Sequence, residues 1–161
     1  RRMTTADGRA GGRDRIIFGD VPLRMASAGG VLLAYANGAV LTEIEGAVSV
    51  AAPGETIVLR TRWQAARRIG RDYNVSLQII DEQGNKVAQH DAGASMSQWQ
   101  PGAAAIELTH PLAIAADARP GVYRLLLVVY VPEGGFEKAA AYDERGQFAG
   151  EQITLTPLRI R

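Results

Sequence analysis

Three Pro-Gly pairs, Pro53-Gly54, Pro101-Gly102 and Pro120-Gly121, punctuate the chain, and each opens a run of residues with the character of a β-strand. Proline presets its own φ and glycine accepts positive φ, so each pair turns the backbone sharply before the next extended segment begins. A chain divided this way is confined to short strands joined by tight turns.

Side-chain alternation supplies the faces. From Glu55, the run ETIVLRTRW places Ile57, Leu59, Thr61 and Trp63 on one side and Thr56, Val58, Arg60 and Arg62 on the other, the period-two pattern of a strand with one face on a core. Tyr73, Val75, Leu77 and Ile79 repeat it, and Asp81-Glu82-Gln83-Gly84 turns the chain back into Lys86–Gln89 as a hairpin. Ile106 and Leu108 mark a further inward face. In VYRLLLVVYV, from Val122 to Val131, both alternating sets are apolar, which predicts a central strand covered on both sides. Residues 136–142 read as an edge strand. Gln152–Ile160 closes the chain and carries Pro157, which suits an edge or a bulge. Residues 90–100 read as a polar, irregular loop.

The first third is less regular. Arg15–Phe18, Leu23–Met25 and Val31–Tyr35 have strand character, and Asn37-Gly38 is a two-residue hairpin signal joining the last of these to Ala39–Ile44. The best helical window, Gln64–Ile69, is one to two turns long. These signals predict an all-β fold of eight to ten strands: an antiparallel β-sandwich, immunoglobulin-like or jelly-roll-like. The expected division is an Arg/Gly-rich linker or arm over residues 1–14 and one sandwich domain over 15–161. That lead has no apolar centre, so it reads as a linker or the cut end of a longer protein, not as a secretory signal.

With 161 residues the chain can bury roughly 70% of the surface it exposes when unfolded, so its core needs no covalent staples. The absence of cysteine excludes disulfides, thiolate metal sites and cysteine nucleophiles. The longest apolar run, Leu125–Val131, has seven residues, against about 20 for a membrane-spanning helix. A net charge of +1 provides no field for steering onto nucleic acid or acidic membrane, and no nucleic-acid partner is expected.

The order PGETIVLRTRW, DYNVSLQIIDEQGNKVAQHD, WQPG, HPLAIAADARPGVYRLLLVVY and a closing Tyr-Asp with a hydrophobic strand spans about residues 50 to 160. It resembles a β-sandwich domain found as the extracytoplasmic C-terminal part of some bacterial multi-pass membrane proteins of the lipid-linked-sugar glycosyltransferase type. The shared residues include Trp63, Asp72-Tyr73, Asp81, Gly84, Asp91, Trp99, Tyr123 and Tyr130, most of them turn and core positions. The Val31–Ile44 hairpin and the Arg/Gly-rich lead are not part of that pattern. The resemblance implies an accessory module outside the cytoplasm, in the cell envelope or secreted, whose partner is another protein or a parent membrane protein.

Candidate sites are few. Linear motifs for catalysis, metal binding or a cofactor are lacking, so no catalytic residue, no metal ligand and no cofactor is expected, and the chain reads as a non-enzymatic interaction module. Asp81, Asp91 and Asp143 suit the capping of their own turns. Trp99, flanked by Gln98 and Gln100, is the aromatic that reads as exposed. With His90 these three form a candidate contact for a glycan, because flat aromatic faces pack on the apolar faces of sugars. Arg67, Arg68 and Arg71 form a candidate anion site, set against a solvated face that discourages edge pairing. A structural subunit of a surface assembly, with the N-terminal arm laid on a neighbour, is the remaining reading.

Overall fold

The structure, a computed structural model, describes residues 24–26 as backbone only, and residues 31–46 and 50–161 in full. Twelve strands run through these residues: β1 (Arg24–Ala26), β2 (Leu33–Tyr35), β3 (Ala39–Glu45), β4 (Val50–Ala51), β5 (Thr56–Ala65), β6 (Asn74–Ile80), β7 (Lys86–Gly93), β8 (Ile106–Ala113), β9 (Gly121–Tyr130), β10 (Ala141–Tyr142), β11 (Phe148–Gly150) and β12 (Ile153–Ile160). A single 3₁₀ turn, Met96–Gln98, joins β7 to β8. The count exceeds the expected eight to ten because β1, β2, β4, β10 and β11 are pieces of two or three residues. The strand expected over Arg15–Phe18 and the arm over residues 1–14 lie outside the described residues.

Two sheets face one another. One has the order β11-β10-β2-β3-β5-β8, with β1 pairing the far end of β3, and the other has the order β4-β12-β9-β6-β7. Strands β3, β5 and β8 therefore oppose β12, β9, β6 and β7, with hairpin and crossover connections of the immunoglobulin type and not those of a jelly roll. Pairing is antiparallel throughout except between β4 and β12, which run parallel over Val50↔Arg159 and Ala51↔Ile160. Tyr123, near the start of β9, donates its hydroxyl to the Arg119 carbonyl at 2.7 Å. This is the tyrosine corner that accompanies such sandwiches.

The inward rows are those that alternation predicts. Ile57, Leu59, Thr61 and Trp63 of β5 face Val75, Leu77 and Ile79 of β6 and Tyr123, Leu125, Leu127 and Val129 of β9. Fully burying each of these aliphatic side chains stabilises the fold by roughly 1.5–3 kcal/mol. Leu126 and Val128 point the other way from β9 and are buried too, beside Gln78 and Ser76 of β6. The window 64–69 forms no helix: β5 runs on to Ala65, and Ile69 is buried beyond it.

Residues 136–142 do not form one edge strand. They change sheets. Ala139 donates to Val129 of β9 in the second sheet, and from two residues later Ala141 and Tyr142 pair with Tyr35 and Ala34 of β2 in the first. Pro157 sits beside the bulge at Thr154 to Thr156, and among the described residues the outer side of β12 pairs with β4 alone, at Arg159 and Ile160. Glycine is required at two tight places. Gly38 (φ +106) makes the β2–β3 hairpin, and Gly46 (φ +105) runs so close to β5 that an added Cβ would collide with the Val58 carbonyl oxygen.

Replacing Tyr123 by Phe strands the Arg119 carbonyl and is expected to cost about 1–2 kcal/mol. A urea titration should show a lower midpoint at unchanged slope. A midpoint equal to the parent's would mean that the corner contributes nothing.

Candidate functional site

A concavity lies at the end of the sandwich where β6 meets β7 and β8 leads to β9. It holds about 690 Å³ between the Asp81–Asn85 turn and the stretch from Ile114 to Val122, within the range of ligand-binding clefts. Both walls are tied down. Asp81 Oδ1 accepts the backbone N–H groups of Gln83 (2.9 Å) and Asn85 (2.7 Å), and Gly84, with φ +86, closes the turn onto the Asp81 carbonyl. On the opposite wall, Gly54 of the first Pro-Gly pair donates to the Ile114 carbonyl at 3.0 Å, Ile114 donates to Glu55 at 2.8 Å, and Tyr123 holds Arg119.

The groove has an apolar floor and a charged rim. Ala88, Ile114 and Tyr123 connect it to the core, while Val87 and Val122 stay 38% and 46% exposed on its surface. Glu82, Asp117 and Arg119 stand around them. The Asp81 carboxylate is occupied by its own turn, so this arrangement offers apolar contact and rim hydrogen bonds to a bound chain. Sequence reasoning missed the groove because its two walls, Asp81–Asn85 and Ile114–Val122, are distant in the chain and are brought together by the β6–β9 pairing. The available signal was the pair Val87 and Val122, apolar residues at outward positions, Val87 being the unpaired residue of the bulge between β6 and β7.

The interior carries a polar chain between the sheets. Trp63 Nε1 donates to Thr61 Oγ1 at 2.8 Å, and Thr61 Oγ1 lies 2.9 Å from His110 Nε2, all three side chains being fully buried. An indole N–H can only donate, so Thr61 Oγ1 accepts from Trp63, and the imidazole tautomer sets the direction of its bond with His110 Nε2. The His110 ring meets His90 of β7 in an edge-to-face contact with centroids 5.5 Å apart. It thereby joins the free edges of the two sheets. Burial first, and then the neighbouring His90, push the His110 imidazole down to about 4. Tyr35, whose ring lies 5.8 Å from that of Trp63, is also buried, and burial pushes its hydroxyl pKa up.

The residues singled out as a glycan contact do not converge. Trp99 is only 5% exposed: its ring packs 6.2 Å from Trp63 and its Nε1 donates to the Ala94 carbonyl at 2.9 Å. The 3₁₀ turn sends Met96 and Trp99 inward, so residues 90–100 are not an open loop: His90–Gly93 complete β7, and Trp99 plugs the end of the core. Gln98 and Gln100 are exposed on either side of it. His90 points inward from mid-strand to His110.

Arg67, Arg68 and Arg71 lie on the exposed loop between β5 and β6. Arg67 donates to the Ala36 carbonyl and Arg71 pairs with Glu137 at 3.1 Å, so two of the three expected anion ligands are engaged within the chain. Asp143 caps its turn as expected, accepting from Arg145 and Gln147 at 2.9 Å. Asp91 instead belongs to the outer face of the second sheet. Among the described residues, no group of three or more His, Asp and Glu is placed to hold a metal ion, and no helix is long and apolar enough to cross a membrane.

No known family matches the chain, and no curated protein does. Among solved structures, it is similar to a Niemann-Pick type C2 protein from the Japanese carpenter ant (8% identity, 91% of this chain and 100% of that one, TM-score 0.39). A second similarity is to the Pseudomonas fluorescens alkylpurine DNA glycosylase bound to DNA containing an abasic site analog (15% identity, 70% of this chain and 27% of that one, TM-score 0.34). A third is to a CARDB domain from Pyrococcus furiosus in complex with di-metal ions (12% identity, 87% of this chain and 92% of that one, TM-score 0.30). At these scores none of the three bears on function.

His110 makes stability depend on pH. Its folded pKa, about 4, lies below the ordinary 6.5, so its contribution is complete above about 6.5. As pH falls from there toward about 4, the unfolded chain takes up a proton that the folded one refuses, and up to ~3 kcal/mol is lost. Urea titrations at the two ends of that window should show a smaller loss for His110→Gln than for the parent. Equal losses would remove His110 as the cause.

Proposed function

We propose that the chain is a non-enzymatic interaction module that receives a protein partner in the groove between the Asp81–Asn85 turn and the Ile114–Val122 stretch. The observation that carries this reading is the exposure of Val87 and Val122 on the floor of a walled groove with carboxylates at its rim. Exposed apolar side chains within a rigid polar frame are what a partner segment can desolvate at little cost in ordering. The resemblance over residues 50 to 160 supports placing the module outside the cytoplasm, as an accessory part of a larger cell-envelope protein. The partner is then the parent protein or a neighbour in the same assembly.

A photo-crosslinking residue introduced at Val122 in the full-length protein, expressed in its own cells, should yield a discrete adduct in the envelope fraction. Val87→Asp should lower the adduct yield about tenfold or more, the loss corresponding to roughly 1.4 kcal/mol of apolar contact, while leaving the melting temperature unchanged. A yield at Val122 no greater than at Arg60, on the outer face of the other sheet, would reject the groove as the contact.

A further inference from the structure

A second surface lies on the outer face of the β7-β6-β9 sheet, away from the groove's floor. The registers Ser76↔Asp91, Gln78↔Gln89 and Asn74↔Tyr130 place these six side chains on one face, in adjacent rows, with Ser76 fully buried, Gln89 and Asp91 exposed and the other three half-buried. They orient one another. Gln89 Nε2 donates to both Asp91 oxygens at 2.9 Å, Gln78 Nε2 donates to Ser76 Oγ at 3.0 Å, and Asn74 Nδ2 approaches the Tyr130 hydroxyl at 3.4 Å. Partial burial opposes ionisation of Asp91, but hydrogen bonds from Gln89, Ser76 and Tyr130, with the charge of Lys86, outweigh it and hold the carboxyl below its ordinary range.

Beside this polar carpet stands an aromatic ledge. Phe136 is 58% exposed, its ring 6.1 Å from that of Tyr130 and tilted by 48°. Its backbone is left-handed, with φ +55, a conformation that a bulky residue adopts at a cost. The turn that carries it is closed by Phe136 N to Glu133 O at 3.3 Å and Val131 N to Glu137 O at 2.8 Å. This phenylalanine covers the half-buried Tyr130 with one side of its ring and leaves more than half of its surface to solvent, and backbone strain of this kind accumulates at binding sites.

We infer that this face binds the pyranose ring of a neutral glycan, the ring seated on Phe136 and Tyr130 and its hydroxyls facing Asp91, Gln89 and Asn74. A sugar ring has one apolar face and an edge of paired donors and acceptors. The aromatic pair matches the first, and oriented amides with one carboxylate match the second. The charges exclude a strongly ionic ligand: Asp91 is opposed by Lys86, and the nearby Glu137 is paired with Arg71. This site is independent of the protein groove, and neither residue of its ledge lines that groove.

The test is a two-dimensional amide NMR titration of the full chain. The probes are methyl α- and β-glycosides of glucose, galactose and mannose, taken to tens of millimolar. Saturable shifts confined to the side-chain amides of Asn74, Gln78 and Gln89 and the backbone around Phe136 are expected with at least one sugar. Phe136→Ala and Asp91→Asn should each weaken that binding about tenfold with melting temperature unchanged, and Val87→Asp should leave it as it was. No shift at these positions with any of the glycosides would overturn the proposal. So would shifts that Phe136→Ala leaves unchanged, or shifts that follow protein concentration alone and therefore report a second copy of the chain on this face.

Discussion

Trp63 sits at the point where most of the fold meets. Its indole is fully buried on β5, yet it carries an N–H that must be satisfied in an apolar interior, where an orphaned donor would cost about 1–3 kcal/mol. Thr61, the next inward residue of the same strand, meets that need, and Thr61 in turn engages His110 on the neighbouring strand. The rest of the indole surface is covered by Tyr35 of the β2–β3 hairpin and Trp99 of the β7–β8 connection. One side chain thus binds the hairpin, the 3₁₀ turn and the edge strand β8 to a single centre. His110 passes the connection on to His90 in the opposite sheet.

Around that centre, turns do the work of aiming surfaces. Pro53-Gly54 and Pro120-Gly121 flank the segment after β8 and, with Tyr123, fix one wall of the groove, while the Asp81 turn fixes the other. A groove whose walls are held by backbone hydrogen bonds keeps its shape without a ligand, and such pre-organisation lowers the ordering cost of binding. The opposite end of the sandwich is closed by Trp99 and by the chain between β9 and β10. That chain leaves the second sheet at Ala139 and joins the first at Ala141, carrying Phe136 out to the surface on the way.

Much of this was legible in the residues, for a definable reason. On a strand, period two ties a residue's identity directly to its face, so the inward rows of β5, β6 and β9 could be read by inspection. The Asp81, Asn37-Gly38 and Asp143 turns could be read the same way, because a turn's chemistry is local. Trp99 could not. Its neighbours Gln98 and Gln100 are polar and exposed, and only the 3₁₀ turn, with Met96 beneath it, rotates the indole into the core. Arg67 and Arg71 looked available for an anion because their partners, the Ala36 carbonyl and Glu137, are 31 and 66 residues away in the chain.

By itself the sequence determined that this chain forms short strands, which side of each strand is apolar, and where the tight turns fall, because propensity, alternation and turn chemistry all act within a few residues. Tertiary structure alone decided which strands became neighbours, and so which distant side chains share a surface. The groove, the His90–His110 junction and the aromatic ledge beside Asp91 each join residues from separate strands or loops. Their proximity is a property of strand order and register, and those depend on how the two sheets bury their inner faces together.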